Sequence, residues 1–171
     1  MKPAFLTDAQ IDARALSHRR ELGFRDEQGI DFMILMARLK ARYPNFAYER
    51  VPDGQLADAE AQWDSQTKRL RIPEPVFLAA LRGESRALMT IAHEVGHALL
   101  GHEGILHRAP AGSQAERLSA KVRAMEYQAR RYAAALLIPN IEAIRHMSAG
   151  EMSEHFGVSM SAAMLRKSEL K

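Results

Sequence analysis

Leu88, Ile91, Ala92, Val95 and Leu99 recur at the spacing of one helical face, and the same stretch carries His93, Glu94 and His97 in the order H-E-x-x-H. This pattern predicts a helix capped by Ser85 and stopped by Gly101. Residues four apart on a helix differ by about 40° in direction, so both imidazoles leave one face with Cβ atoms about 5 to 6 Å apart. Two ring nitrogens can then meet one Zn²⁺ at about 2.0 to 2.1 Å. Glu94 points to the side of such an ion and can reach a bound water instead of the metal. Gly96 costs the helix about 1 kcal/mol of propensity, and in exchange it removes a side chain where another element could come close. The bland alternative is a solvated helix face with two incidental histidines, and a third ligand decides between the two.

A catalytic zinc needs three protein ligands and one open position. The long metzincin spacing would place Gly at 100 and His at 103, but the chain has Leu100 and Glu103 there. Glu126 is a better third ligand. It precedes Ala129 and Ala133 on a long apolar-striped helix, so it stands at the stripe's edge, where an unpaired carboxylate is costly to bury. Pairing with Arg123 or Arg130 along the same helix is its ordinary alternative. His102, Glu103 and His107 are rival ligands on the following loop, which fixes geometry less well than a second helix.

The 171 residues contain no cysteine, which removes disulfides, thiolate metal sites and thiol nucleophiles. With 47% hydrophobic residues the chain can pack one core, and a net charge of +3 is too small to argue for nucleic-acid binding. The longest apolar runs, 32–37 and 132–138, cannot span a bilayer, and residues 1–10 lack an apolar leader. The expected location is the cytoplasm.

Along the chain, Thr7 and Gln10 form a capping-box pattern for a helix to about Gly23, and a second helix runs from about Asp31 to the Tyr43-Pro44 step. Residues 46–51, 57–64 and 68–72 read as three short strands of an antiparallel sheet. A short helix around Val76 to Leu81 precedes the H-E-x-x-H helix, and the long Glu126 helix runs to Ile138-Pro139. Helices at about 140–147 and 151–156 and a Gly157-Val158-Ser159 turn lead into a last helix ending near Leu170. The expected class is α+β and mostly helical, with residues 1–139 as the main domain and 140–171 as a helical, helix-turn-helix-like segment packed on it. Met160 to Leu165 offers little to read DNA, with only Arg166 and Lys167 basic and late, so packing is the better role for this segment.

The segments TIAHEVGHALL at 90–100 and EYQARRYAAALLIP at 126–139 together resemble the ImmA/IrrE metallopeptidases. That family pairs T-x-A-H-E-x-G-H with a downstream E-x-E-A-[ND]-x-F-A-x-x-L-L-x-P helix, and a G-V-S segment like residues 154–165 commonly follows. The likeness extends from about Arg20 onward and is strong over 90–139. It implies a zincin-like metallopeptidase domain with His93, His97 and Glu126 as zinc ligands and Glu94 as general base. Mn²⁺ fits the same ligands. It also implies a protein substrate, a helix-turn-helix transcriptional repressor whose cleavage releases transcription. The alternative on the same scaffold is a weakly active or non-catalytic antirepressor.

Three positions depart from the family pattern: Gln128 stands where a second Glu is common, Tyr132 where Phe is common, and Arg130 where Asn or Asp is common. A small polar residue at 130 could hold a ligand histidine in its tautomer, which an arginine cannot do because it has no acceptor. A lower metal affinity or turnover is therefore expected from Arg130. Tyr127, Tyr132, His102 and His107 are the candidates for a second oxyanion donor.

Overall fold

The computed structural model describes residues 5–56, 59–103 and 113–170, with side chains in the last stretch from Ala120 onward. Among the described residues the elements run α1 (Asp8–Glu21), α2 (Phe32–Arg42), β1 (Ala47–Val51), β2 (Gln62–Asp64), β3 (Arg69–Pro73), α3 (Glu74–Leu81), α4 (Ser85–Leu99), α5 (Ser113–Leu137), α6 (Glu142–Arg145), α7 (Ala149–Phe156) and α8 (Met160–Glu169). This is the expected mostly helical α+β architecture.

Local chemistry sets most of the boundaries. Thr7 and Gln10 form the reciprocal capping box of α1, and the Asp31 carboxylate accepts from Ile34 N–H at the start of α2. One expected cap is displaced. Ser85 is the first residue inside α4 and Glu84 is the cap, without a side-chain bond to the helix, because the Glu84 carboxylate accepts from Arg82 instead.

The sheet is mixed, where an all-antiparallel one was expected. Its order is β1-β3-β2, with β1 parallel to β3 and β2 antiparallel to β3. Side-chain alternation has the same period in both pairings, so it carries no information on strand direction. The expected strand at 57–64 begins only at Gln62. With β3 in the centre, β1 and β2 are the two edge strands. Leu70 and Ile72 of β3 are fully buried, and Trp63 stacks on Phe46 with ring centroids 5.8 Å apart.

Helices α4 and α5 pack against each other, with α1 on the other side of α5. The C-terminal end of α5 is buried, and two arginines satisfy its carbonyls. Arg19 of α1 donates to Leu136 O at 2.6 Å, and Arg166 of α8 donates to Ile138 O at 2.9 Å. Both guanidinium groups sit where unpaired carbonyls and the negative helix pole gather. Asp12 of α1 ties Arg166 to Arg131 of α5: it accepts from Arg131 at 3.0 and 2.9 Å and from Arg166 at 3.2 Å. These charges stand on otherwise apolar faces beside Ile11, Ala15 and Ala163, all fully buried.

Helices α7 and α8 meet at Gly157, which ends α7 in the left-handed conformation, and at Ser159, which caps α8. Neither late basic residue of α8 is presented outward. Arg166 is fully buried, and Lys167 donates to Arg145 O at 2.9 Å and to Met147 O. Ile144, Met152, Phe156, Val158 and Ala163 join the same hydrophobic core as the rest of the chain.

Removing Asp12 takes the bidentate partner from Arg131 and the only side-chain hydrogen-bond acceptor from Arg166 among the described residues, with Glu169 as the remaining carboxylate beside both. Asp12→Ala is expected to destabilise the fold by about 3 to 5 kcal/mol, read by urea unfolding. Burial raises the Asp12 pKa, but hydrogen bonds and charge from Arg131 and Arg166 outweigh it, so the net shift is downward. Its contribution is therefore complete above the unfolded value of about 3.9 and fades as pH falls below that toward the lower folded value. Asp12→Ala should lose that acid-side component, and an identical pH–stability profile in both proteins would contradict it.

Candidate metal centre

His93, Glu94 and His97 project from α4 with one ligand-type atom of each lying within 4.8 Å of the others. Glu126 reaches the same point from α5. One of its oxygens, Oε2, lies 2.8 Å from His93 Nε2, and Oε1 lies 3.1 Å from His97 Nε2. Two imidazole nitrogens and a carboxylate from two helices thus converge, which is the donor set that suits Zn²⁺ and related divalent ions.

Gly96 makes the convergence possible. A Cβ at this position would lie 3.1 Å from Ala129 O, 3.1 Å from the Tyr132 ring and 3.2 Å from Ala129 Cα. The backbones of α4 and α5 are in contact there, which is why the helix keeps a residue of poor propensity. Glu126 lies one turn before Ala129, so this contact brings its carboxylate over the two histidines.

The two carboxylates differ in setting. Burial pushes Glu126 upward, but hydrogen bonds from His93 and His97, and their charge, hold it well below the usual carboxylate range. Glu94 is raised, chiefly by burial, with His97, His93 and the Trp63 N–H opposing. Its Oε2 accepts from Trp63 N–H of β2 at 2.8 Å, leaving Oε1 unengaged by that bond. An open groove lined by Glu60, Ala61, Met89 and Thr90 borders His93 and Glu94.

Residues 55–168 match the sequence profile of the IrrE N-terminal-like domain, Peptidase M78, which spans both site helices. The chain belongs to this family. M78 is a metallopeptidase family, so the convergent donor set falls where such a family needs one. Among solved structures, a Mycobacterium tuberculosis transcriptional regulator shares the fold at a TM-score of 0.54 and 19% identity, over 92% of this chain and 46% of that one. The chain therefore spans less than half of that regulator's length. A search of curated proteins finds no match.

Other residues singled out in this M78 chain are engaged elsewhere. Tyr127 donates to Asp8 at 2.8 Å, and the Tyr132 hydroxyl is bonded to His18 Nδ1 at 2.7 Å. Glu103 is exposed, and His107 lies outside the described residues. Arg130 turns toward α8, where it donates to Glu169 at 3.0 Å, and it lies over the Tyr127 ring. It meets none of the site histidines in these contacts, and its charge is paired with Glu169.

His102 is not beside the other donors but behind His97. Its Nδ1 lies 2.8 Å from His97 Nδ1, and its Nε2 lies 3.2 Å from Gln128 Oε1. Burial lowers the His102 pKa to about 4. The C-terminus of α4 accounts for its placement. Gly101, at φ 70°, turns the chain so that Gly101 N–H meets Ala98 O at 3.3 Å and His102 N–H meets His97 O at 3.0 Å. This paired closure sets the residue after the glycine against the residue that begins the last turn, here histidine against histidine. The signal was legible as Gly101-His102 directly after a helix end, though not as a contact with His97.

Any branched side chain at 96 would press on α5 backbone that cannot yield locally. Gly96→Val should lose about 1 to 3 kcal/mol of stability, measured by denaturant unfolding. A variant as stable as the parent would mean that the two helices are not held in contact.

Proposed function

We propose that the chain is a zinc-dependent metalloendopeptidase of regulatory type, with His93, His97 and Glu126 holding the ion and Glu94 acting as general base. The observation that carries this reading is the meeting of Glu126 with both imidazole Nε2 atoms across two helices in a metallopeptidase family. A bound divalent metal would supply a positive charge that acidifies water and stabilises a developing oxyanion.

The chain's own residues do the rest. Trp63 N–H holds one Glu94 oxygen, which fixes the carboxylate plane and leaves Oε1 to take a proton from water as the peptide carbonyl is attacked. The same oxygen then returns the proton to the leaving amine. Burial raises the Glu94 pKa, which makes the carboxylate a stronger base for that proton. Because Trp63 N–H points to Glu94 and not to β3, the outer edge of β2 faces the site, with its Trp63 N–H already taken by Glu94. An extended substrate segment could add to that edge by main-chain hydrogen bonds.

The resemblance to the ImmA/IrrE metallopeptidases supports a helix-turn-helix repressor as the substrate. Arg166 and Lys167 being spent on internal contacts supports α7–α8 as packing elements, with no direct DNA reading. No helix among the described residues is long and apolar enough to cross a membrane. The non-catalytic antirepressor on the same scaffold is the second reading, and cleavage of a repressor with and without a chelator separates the two.

The purified protein should carry about one divalent metal per chain, and His97→Ala should carry none by metal analysis. Stoichiometric metal in His97→Ala would remove that residue from the site. Glu94→Gln is expected to keep metal and fold while cleaving a co-encoded repressor about 10²- to 10⁴-fold more slowly. Cleavage at the parental rate by Glu94→Gln, or in the presence of a chelator, would overturn the mechanism.

A further inference from the structure

We propose that His102 and Gln128 are positioning residues that decide which ring nitrogen of His97 is free to bind a metal. The proposal rests on the metal-centre reading above and adds to it a row of three side chains, His97, His102 and Gln128, that holds one imidazole tautomer. His97 Nδ1 and His102 Nδ1 are 2.8 Å apart, and His102 Nε2 and Gln128 Oε1 are 3.2 Å apart. His97, His102 and Gln128 are all buried, at 3%, 3% and 5% exposure, so water offers little alternative partnership.

The proton positions follow from the far end inward. A carboxamide oxygen has no proton to give, so His102 Nε2 must carry the hydrogen of that bond. A neutral His102 protonated at Nε2 has a bare Nδ1, which can only accept. His97 must then donate from Nδ1, so the hydrogen that its Nε2 gives to Glu126 in the metal-free chain is the one a metal replaces, and that nitrogen supplies the lone pair. That nitrogen is the one 3.1 Å from Glu126 Oε1, facing the point where the donors converge. The opposite polarity, with a donor at position 128, would place a hydrogen on His97 Nε2 and block it as a ligand. An acceptor at 128 thus selects the binding tautomer of a histidine that it never touches.

Two independent elements build this row. The glycine closure of α4 sets His102 on the Nδ1 side of His97, while α5 supplies both Glu126 on the Nε2 side and Gln128 behind His102. Partners of this kind behind a metal-binding histidine change metal affinity by about 10- to 100-fold when removed.

The test uses the full chain with zinc as probe. Long-range ¹H–¹⁵N spectra of the zinc-loaded protein should show His102 protonated at Nε2 and bare at Nδ1, and a His102 protonated at Nδ1 would overturn the proposal without any substitution. In competition against a chelator, Gln128→Leu should bind zinc about 10- to 100-fold more weakly, while Gln128→Glu, which keeps an acceptor oxygen, should bind at least as tightly as the parent. Parental affinity in Gln128→Leu, or an equal loss in both variants, would also overturn it. His97→Ala separates the two levels. If it binds zinc like the parent, or the parent binds none, the metal-centre reading itself fails. If it loses zinc while Gln128→Leu does not, only the row fails.

Discussion

The contact between α4 and α5 at Gly96 and Ala129 governs the rest of the site. A hydrogen atom in place of a side chain at 96 lets the backbones approach until a Cβ would sit 3.1 Å from Ala129 O. At that separation a glutamate side chain one turn earlier on α5 spans the gap to both imidazoles of α4. A larger separation would leave Glu126 as a surface carboxylate out of reach of the imidazoles, and the histidines would be two groups on one helix with no third partner.

A contact of this kind has to be held at a fixed angle, and the buried charges at the far end of α5 do that. Arg19 and Arg166 take the carbonyls of Leu136 and Ile138, and Asp12 joins Arg166 to Arg131. Each of these groups is costly to bury alone and tolerable only with its partners in place, so the network penalises any rotation or slide of α5. Helices α1 and α8 reach the metal centre only through this hold on α5. The last helix therefore serves the candidate site through its contacts with α5, Arg166 at Ile138 O and Glu169 at Arg130 and Arg131.

Helix existence was legible because it depends on local signals. The capping box at Thr7, the Asp31 cap, the left-handed glycines at 101 and 157 and the spacing of apolar residues in α4 each act within one or two turns. Strand direction was not legible, since the alternation of Leu70 and Ile72 is the same in either pairing and direction depends on where the chain returns. The buried roles of Arg19, Asp12 and Arg166 were equally hidden. Polar residues on an apolar face show only that something must satisfy them, and the partners lie more than a hundred residues away along the chain.

At the site itself, the chain order alone determined that His93 and His97 share a face, that Glu94 stands beside them, and that Gly96 leaves room for a neighbour. Helical periodicity makes these statements, and it needs no tertiary contact. Only the folded structure decided what fills the room: that α5 does, that Glu126 meets both imidazoles, that Arg130 turns away to Glu169, and that His102 and Gln128 stand behind His97. Those outcomes depend on the distance and rotation between two helices, which are set by packing and by buried charges far from the histidines. A one-dimensional pattern records the faces of a helix but not which residue of another element will stand opposite them.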